Sequence, residues 1–159
     1  MESLTSQAKM VAGNSYQRLM TTLAAVPDDK LTWSPSATSN SALQIAAHCG
    51  FSNQFLAGRL LGEEMHVPAN VEEMQESVKK AIATITTRQQ ALDLLASSIE
   101  KVNAVLDSVK PEALGTEVKT PFGQVTLGFL IFAPGMHMQN HAAQIDYIQT
   151  IYGDVAMHM

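Results

Sequence analysis

The chain is short of charge, nearly without cysteine, and free of any long apolar run. Only 16% of its 159 residues are Asp, Glu, Lys or Arg, against about 25% in ordinary globular domains. The 15 acidic residues outnumber the 10 basic ones, the net charge is −5, and no basic run occurs. Affinity for a phosphate backbone comes from clustered Lys and Arg, so no nucleic-acid partner is expected. A single cysteine, Cys49, rules out an internal disulfide and fits a reducing compartment, which makes a cytoplasmic location the default expectation. The longest apolar stretch, around Phe129 to Pro134, falls well short of the roughly 20 residues that cross a bilayer. Glu2, Gln7 and Lys9 interrupt any signal-peptide core, so no membrane association is expected. There is no internal repeat, low-complexity tract or linker, and residues 1–159 read as a single domain. With 46% apolar residues, a chain of this size buries about 68–70% of its unfolded surface.

What is present is helical periodicity. Ala8, Val11, Ala12, Leu19 and Leu23 fall on one face of a helix that runs from Leu4 to near Pro27, where Pro-Asp-Asp marks a turn. Leu31 to Asn40 (LTWSPSATSN) is a loop by composition, with Trp33 tucked against the core. Ser39 or Ser41 caps a second helix through Leu43, Ala47, Phe51 and Phe55 to about Leu61, with Gly62 at its end. Asn70 with Glu73 opens a short extra helix through Val78 and Ile82. Thr86 with Gln89 opens a stronger one, whose Leu92, Leu95, Ile99, Val102 and Leu106 form a packing seam that ends at Lys110-Pro111. Leu114 to Val125 (LGTEVKTPFGQV) reads as a loop or a very short hairpin. A last helix spans Thr126 to about Tyr152, closed by Gly153, with a kink or break expected near Pro134. Histidines aside, Asp146 is its one charged residue, which predicts burial on most sides. The fold class is all-α: a four-helix bundle with a short extra helix and a small loop or hairpin before the last helix.

Five histidines occur: His48, His66, His137, His141 and His158. His137 and His141 are four apart on one helix, so their rings leave the same face about 5–6 Å apart at Cβ. Two imidazoles at that spacing can hold one metal ion. His48 sits among Ile45, Ala46, Ala47 and Phe51, where a lone imidazole is awkward. Where the second and last helices face each other, three imidazoles can converge. The spacing alone leaves two plainer readings open: a surface pair, and a satisfied core histidine. His137-Met138-Gln139-Asn140-His141 lacks the glutamate of H-E-x-x-H, which disfavours a zincin-type protease. His66, beside Glu63 and Glu64, and His158, in the tail, read as exposed.

These residues carry a resemblance. LTWSP, then Ser41-Ala42-Leu43-Gln44-Ile45-Ala46-Ala47-His48, then His137-x3-His141-x2-Gln144 followed by Tyr152-Gly153, are similar in type and order to the DinB-like (DinB/YfiT) superfamily of bacterial metal-binding four-helix bundles. The resemblance covers nearly the whole chain. It implies an up-down-down-up bundle, and a divalent metal ion (zinc, nickel, iron or manganese) bound by His48, His137 and His141. It also implies a low-molecular-weight thiol and a small electrophilic substrate as partners, and a homodimer.

Three neutral imidazoles leave an ion its full charge and at least one open coordination position, the arrangement of a catalytic rather than a structural site. Such an ion gives a nucleophile at neutral pH from a thiol or water, with binding expected to weaken as pH falls through about 6.5. Cys49 points about 100° away from His48 and reads as a small buried hydrophobe. Gln44 and Gln144 are the candidate orienters of the ring N–H groups, with Asn140 and Asp146 weaker ones. The expected function is a metal-dependent thiol S-transferase or hydrolase-like enzyme. The alternative is a non-catalytic, stress-related bundle that binds metal or a small ligand, with some of the nine methionines, Met136 and Met138 among them, lining an adaptable pocket.

Overall fold

The computed structural model describes residues 3–63, 70–120 and 123–158. In chain order it comprises α1 (Leu4–Ala25), α2 (Ala42–Leu60), α3 (Val71–Ile82) and α4 (Arg88–Ser108). A hairpin of β1 (Glu117–Thr120) and β2 (Gly123–Thr126) follows, then α5 (Leu127–Leu130) and α6 (Ala133–Ile151).

Local chemistry sets most boundaries. The Ser3 side chain accepts from the Ser6 N–H to open α1. Ser41, not Ser39, caps α2 in a capping box: its hydroxyl accepts from the Gln44 N–H at 3.3 Å while Gln44 Oε1 accepts from the Ser41 N–H at 2.9 Å. Gln44 is thereby committed to the helix start rather than to a histidine ring. Asn70 caps α3 through Glu73 as expected. The box before α4 lies one residue later than Thr86 and Gln89 suggested: Gln90 Oε1 accepts from the N–H groups of both Thr86 and Thr87, and Thr87 accepts in return. Gly62 and Gly153, past the ends of α2 and α6, adopt φ of 73° and 96°, conformations that cost side-chain-bearing residues energy.

The expected last helix is two helices. The break falls at Ile131–Phe132, and Pro134 lies in the first turn of α6. N–H groups there have no intrahelical partner, so proline costs nothing. Alternation across Glu117 to Val125 resolves as a true hairpin, in register from Glu117↔Thr126 to Thr120↔Gly123. Pro121 and Phe122 of its turn lie outside the described residues, as does His66.

Contacts fix the helix directions. Along α1, Val11–Ala12, Arg18 and Thr22 meet Gly135, Asp146 and Gln149 in that order, so α1 and α6 run parallel. Gly50 meets Leu94 and Asn53 meets Ser98, so α2 and α4 are parallel as well. His48 faces His141 while Asn53 faces Met138, which makes α2 and α6 antiparallel. Lys9 pairs with Asp107, and Arg88 reaches the Leu23 carbonyl, which makes α1 and α4 antiparallel. The long helices therefore run up, down, down, up. Leu19, Leu23, Leu95, Val102, Leu106, Ile131, Met138 and Ile145 fill the space between them. No helix among the described residues is long and apolar enough to cross a membrane.

Two burial expectations need correction. Scarcity of charge on α6 does not mean burial on most sides: Met136, Gln139, Asn140, Ala143, Gln144, Tyr147, Thr150 and Ile151 are exposed. Uncharged polar and apolar groups cover that face instead. Nor is His158 exposed in the tail. Thr22 Oγ1 donates to the His158 carbonyl at 3.1 Å, and the ring lies 2.9 Å from Asp154 Oδ2, with its side chain only 17% exposed. Trp33 packs on the core as expected, edge-on to Tyr152 at 5.9 Å between centroids.

Candidate metal centre

The antiparallel crossing of α2 and α6 sets His48 opposite the one-turn pair His137 and His141. His137 Nε2 lies 3.1 Å from His48 Nε2 and 3.1 Å from His141 Nε2. The three rings stand 4.4–4.9 Å apart between centroids, tilted 56–83° to one another. All three are half-buried. Burial, with neighbouring imidazoles adding to it, lowers the pKa of His48 to about 4 and of His137 to about 3. Burial also lowers that of His141, against the raising effect of its hydrogen bond to Gln144. The set is neutral at pH 7.

Proton counting shows what the cluster accommodates. His141 Nδ1 lies 2.7 Å from Gln144 Oε1. An amide oxygen only accepts, so the His141 proton sits on Nδ1 and its Nε2 carries a lone pair. One linear N–H···N bond can bridge only one of the two 3.1 Å contacts, leaving the other without a hydrogen bond. His137 Nδ1 is buried and has no partner among the described residues. Three nitrogen donors crowded in this way suit a cation. Nitrogens about 2.0–2.1 Å from one shared ion stand no more than about 4.2 Å apart; the two 3.1 Å separations meet that bound, and the three donors together lie within 4.8 Å of one another. The donor set is compatible with a divalent metal, and imidazole does not choose among zinc, nickel, iron and copper.

Of the candidate orienters, Gln144 alone bonds a ring of the cluster among the described residues. Asp146 turns to α1, 2.8 Å from Arg18, and Asn140 is exposed. Cys49 is fully buried, and burial pushes its thiol pKa well up, so it behaves as a hydrophobe. Sequence reasoning missed Asn53. It is fully buried on α2, donating to Ser98 Oγ at 3.2 Å and lying 3.3 Å from Met138 Sδ, next to His137. Its one signal was an amide on an otherwise apolar helix face.

Fold and site together define an up-down-down-up helical bundle with a tri-histidine cluster on the seam between its second and last long helices. A family model described as the DinB superfamily matches residues 14–145, which include all three histidines, and the chain belongs to that superfamily. No curated protein matches the chain. Solved structures share its fold. A conserved protein from Enterococcus faecalis superposes with a TM-score of 0.76 at 16% identity, over 97% of this chain and 100% of that one. A mycothiol-dependent maleylpyruvate isomerase superposes with a TM-score of 0.74 at 16% identity over 99% of this chain, which spans 65% of the isomerase's length. A DinB-like protein from Bacillus subtilis gives 0.64 at 18% identity, over 99% of this chain and 97% of that one.

Proposed function

We propose that His48, His137 and His141 hold one divalent metal ion (zinc, nickel, iron or manganese), and that the protein is an enzyme joining a small thiol to an electrophilic substrate. The observation that carries this reading is the pair of 3.1 Å Nε2 contacts that no arrangement of protons satisfies. The isomerase that shares the fold is named as mycothiol-dependent, which favours a thiol over water as the nucleophile. A bound ion would supply a nucleophile at neutral pH by favouring the deprotonated form of a coordinated thiol or water.

The remaining work falls to the chain. His48 and His137, neutral well below pH 7, and His141, whose pKa burial also lowers, are ready to ligate without first losing a proton. Gln144 fixes the His141 tautomer so that Nε2 faces the cluster. Met138, fully buried beside His137 on α6, keeps bulk water from the inner side of the cluster. In the reaction a bond forms between the thiol sulfur and the electrophilic carbon. The S–H bond breaks with its proton going to solvent, and the electron pair displaced at the carbon departs with the leaving group or, where the thiol only adds, takes up a proton from solvent.

Elemental analysis of untagged protein tests the site, with about one divalent ion per chain expected. His48→Ala, His137→Ala and His141→Ala should each lose it, and retention by all three variants would refute the assignment. Turnover of thiol and electrophile by loaded protein, absent after stripping, separates an enzyme from a bundle that only binds.

A further inference from the structure

An open groove of about 530 Å³ lies on the α2–α6 seam beside the histidines, under the loop that carries Pro35. Because α2 and α6 are antiparallel, the two ends of one short step along the seam coincide. Ile45 lies three residues before His48, and Asn140 and Gln144 stand one before and three after His141, so the groove lies within one turn of the cluster along both helices, though no histidine lines it. Pro35, Ile45, Tyr147 and Ile148 give it apolar walls, and Asn140 and Gln144 add amides. None of its ten lining residues is charged. Tyr147 is 70% exposed at its edge, an aromatic ring with water where an apolar ligand would lie. The volume falls within the roughly 300–1,000 Å³ typical of small-molecule sites.

Gln144 belongs to both features. Its Oε1 accepts from His141 Nδ1–H, while the same side chain lines the groove.

We propose that this groove binds the electrophilic substrate through an uncharged, apolar, ring-sized body with a carbonyl-type acceptor, and that Gln144 is a positioning residue coupling its occupancy to His141. The character of the part held in the groove follows from the lining: away from the ion, a charged group would meet no opposite charge among the lining residues. Apolar walls favour a flat hydrocarbon body, and amide N–H groups favour an acceptor. This inference rests on the metal-centre reading for its chemistry but not for the groove itself.

The probe is N-phenyl-1-naphthylamine, which is uncharged, with the anionic 8-anilinonaphthalene-1-sulfonate as comparison, each titrated into metal-stripped protein by fluorescence. One uncharged probe per chain should bind, at least tenfold tighter than the anion. Ala143→Trp, which fills the groove from an exposed position, and Ala143→Asp, which charges it, should each weaken binding at least tenfold with zinc content unchanged. Equal binding of the two probes, or variants that bind like the parent, would overturn the groove. Light scattering runs alongside: a dimer that Ala143→Asp splits would make the occupant a second copy of this chain and would also overturn it. In cobalt-loaded protein, the uncharged probe should shift the visible absorption band, and Gln144→Ala should abolish that shift while the probe still binds. A band that the probe leaves unmoved in the parent would refute the coupling. Failure of the parent to take up zinc or cobalt would sink the metal reading instead, while the stripped-protein titrations still decide the groove.

Discussion

Gln44 and Gln144 occupy similar positions in the sequence, each within one turn of a histidine, yet they do different work. Gln44 sits at the third position of α2, where free N–H groups draw its side chain back to Ser41. Gln144 lies mid-helix, where the backbone is already paired, so its amide is available to His141. Gln144→Ala should lower metal affinity about tenfold to a hundredfold in a chelator competition, with little change in helix content. The depressed imidazoles also set a pH response. Unfolded, they titrate near 6.5, whereas in the native chain His48 and His137 take up protons only near pH 4 and 3. Below about 6.5 the unfolded chain therefore binds more protons at these positions. Metal-free stability should be full above that pH and decline as pH falls toward 4. Thermal melts of stripped protein from pH 7.5 to 4.5 check this, and His137→Ala should show a shallower decline. Metal binding should accordingly persist to more acidic pH than an ordinary imidazole would allow.

At the level of elements, the ends of helices were legible where one side chain has one use. Ser41, Asn70, Gly62 and Gly153 each sit where sequence patterns put them. The start of α4 was misplaced by one residue because Thr86 and Thr87 compete for the same Gln90. Pro134 announced a break without locating it, since proline is tolerated in a first turn and the chain bends two residues earlier. The histidine pair was visible from its spacing, but its meeting with His48 depends on how α6 seats against its neighbours, which no local pattern encodes. Gly135 governs that seating. A Cβ there would stand 2.8 Å from Val11 Cγ1 and 3.0 Å from the Ala12 backbone nitrogen. Gly135→Ala should cost about 1–3 kcal/mol in denaturant unfolding and weaken metal binding, because His137 is two residues away. Gly50→Ala meets the half-buried Leu94 side chain, which can turn aside, so a smaller loss is expected. Ser41→Ala, which removes a cap, should cost about 1 kcal/mol with the metal site intact.

Across the whole molecule, the consecutive long helices α2 and α4 are parallel and cannot be joined by a tight turn, so the chain spends α3 on returning from one end to the other, while the β1–β2 hairpin links the antiparallel α4 and α6 at a single end. Charge scarcity misled the reading of α6 for a related reason: an uncharged helix face is as consistent with a groove wall as with a buried interior. Metal at 100 times its dissociation constant should add about 2.7 kcal/mol of stability, or roughly 5–10 °C in Tm for a chain of this size. Calorimetry with and without a chelator measures that shift, and one cooperative transition is expected in both states. His48 and His137 lie 89 residues apart, so an ion gripping both would clasp more than half the polypeptide into a ring. Pulled from its two ends, the loaded molecule should yield less slack than the stripped one until the clasp gives way, and the missing length should correspond to that ring.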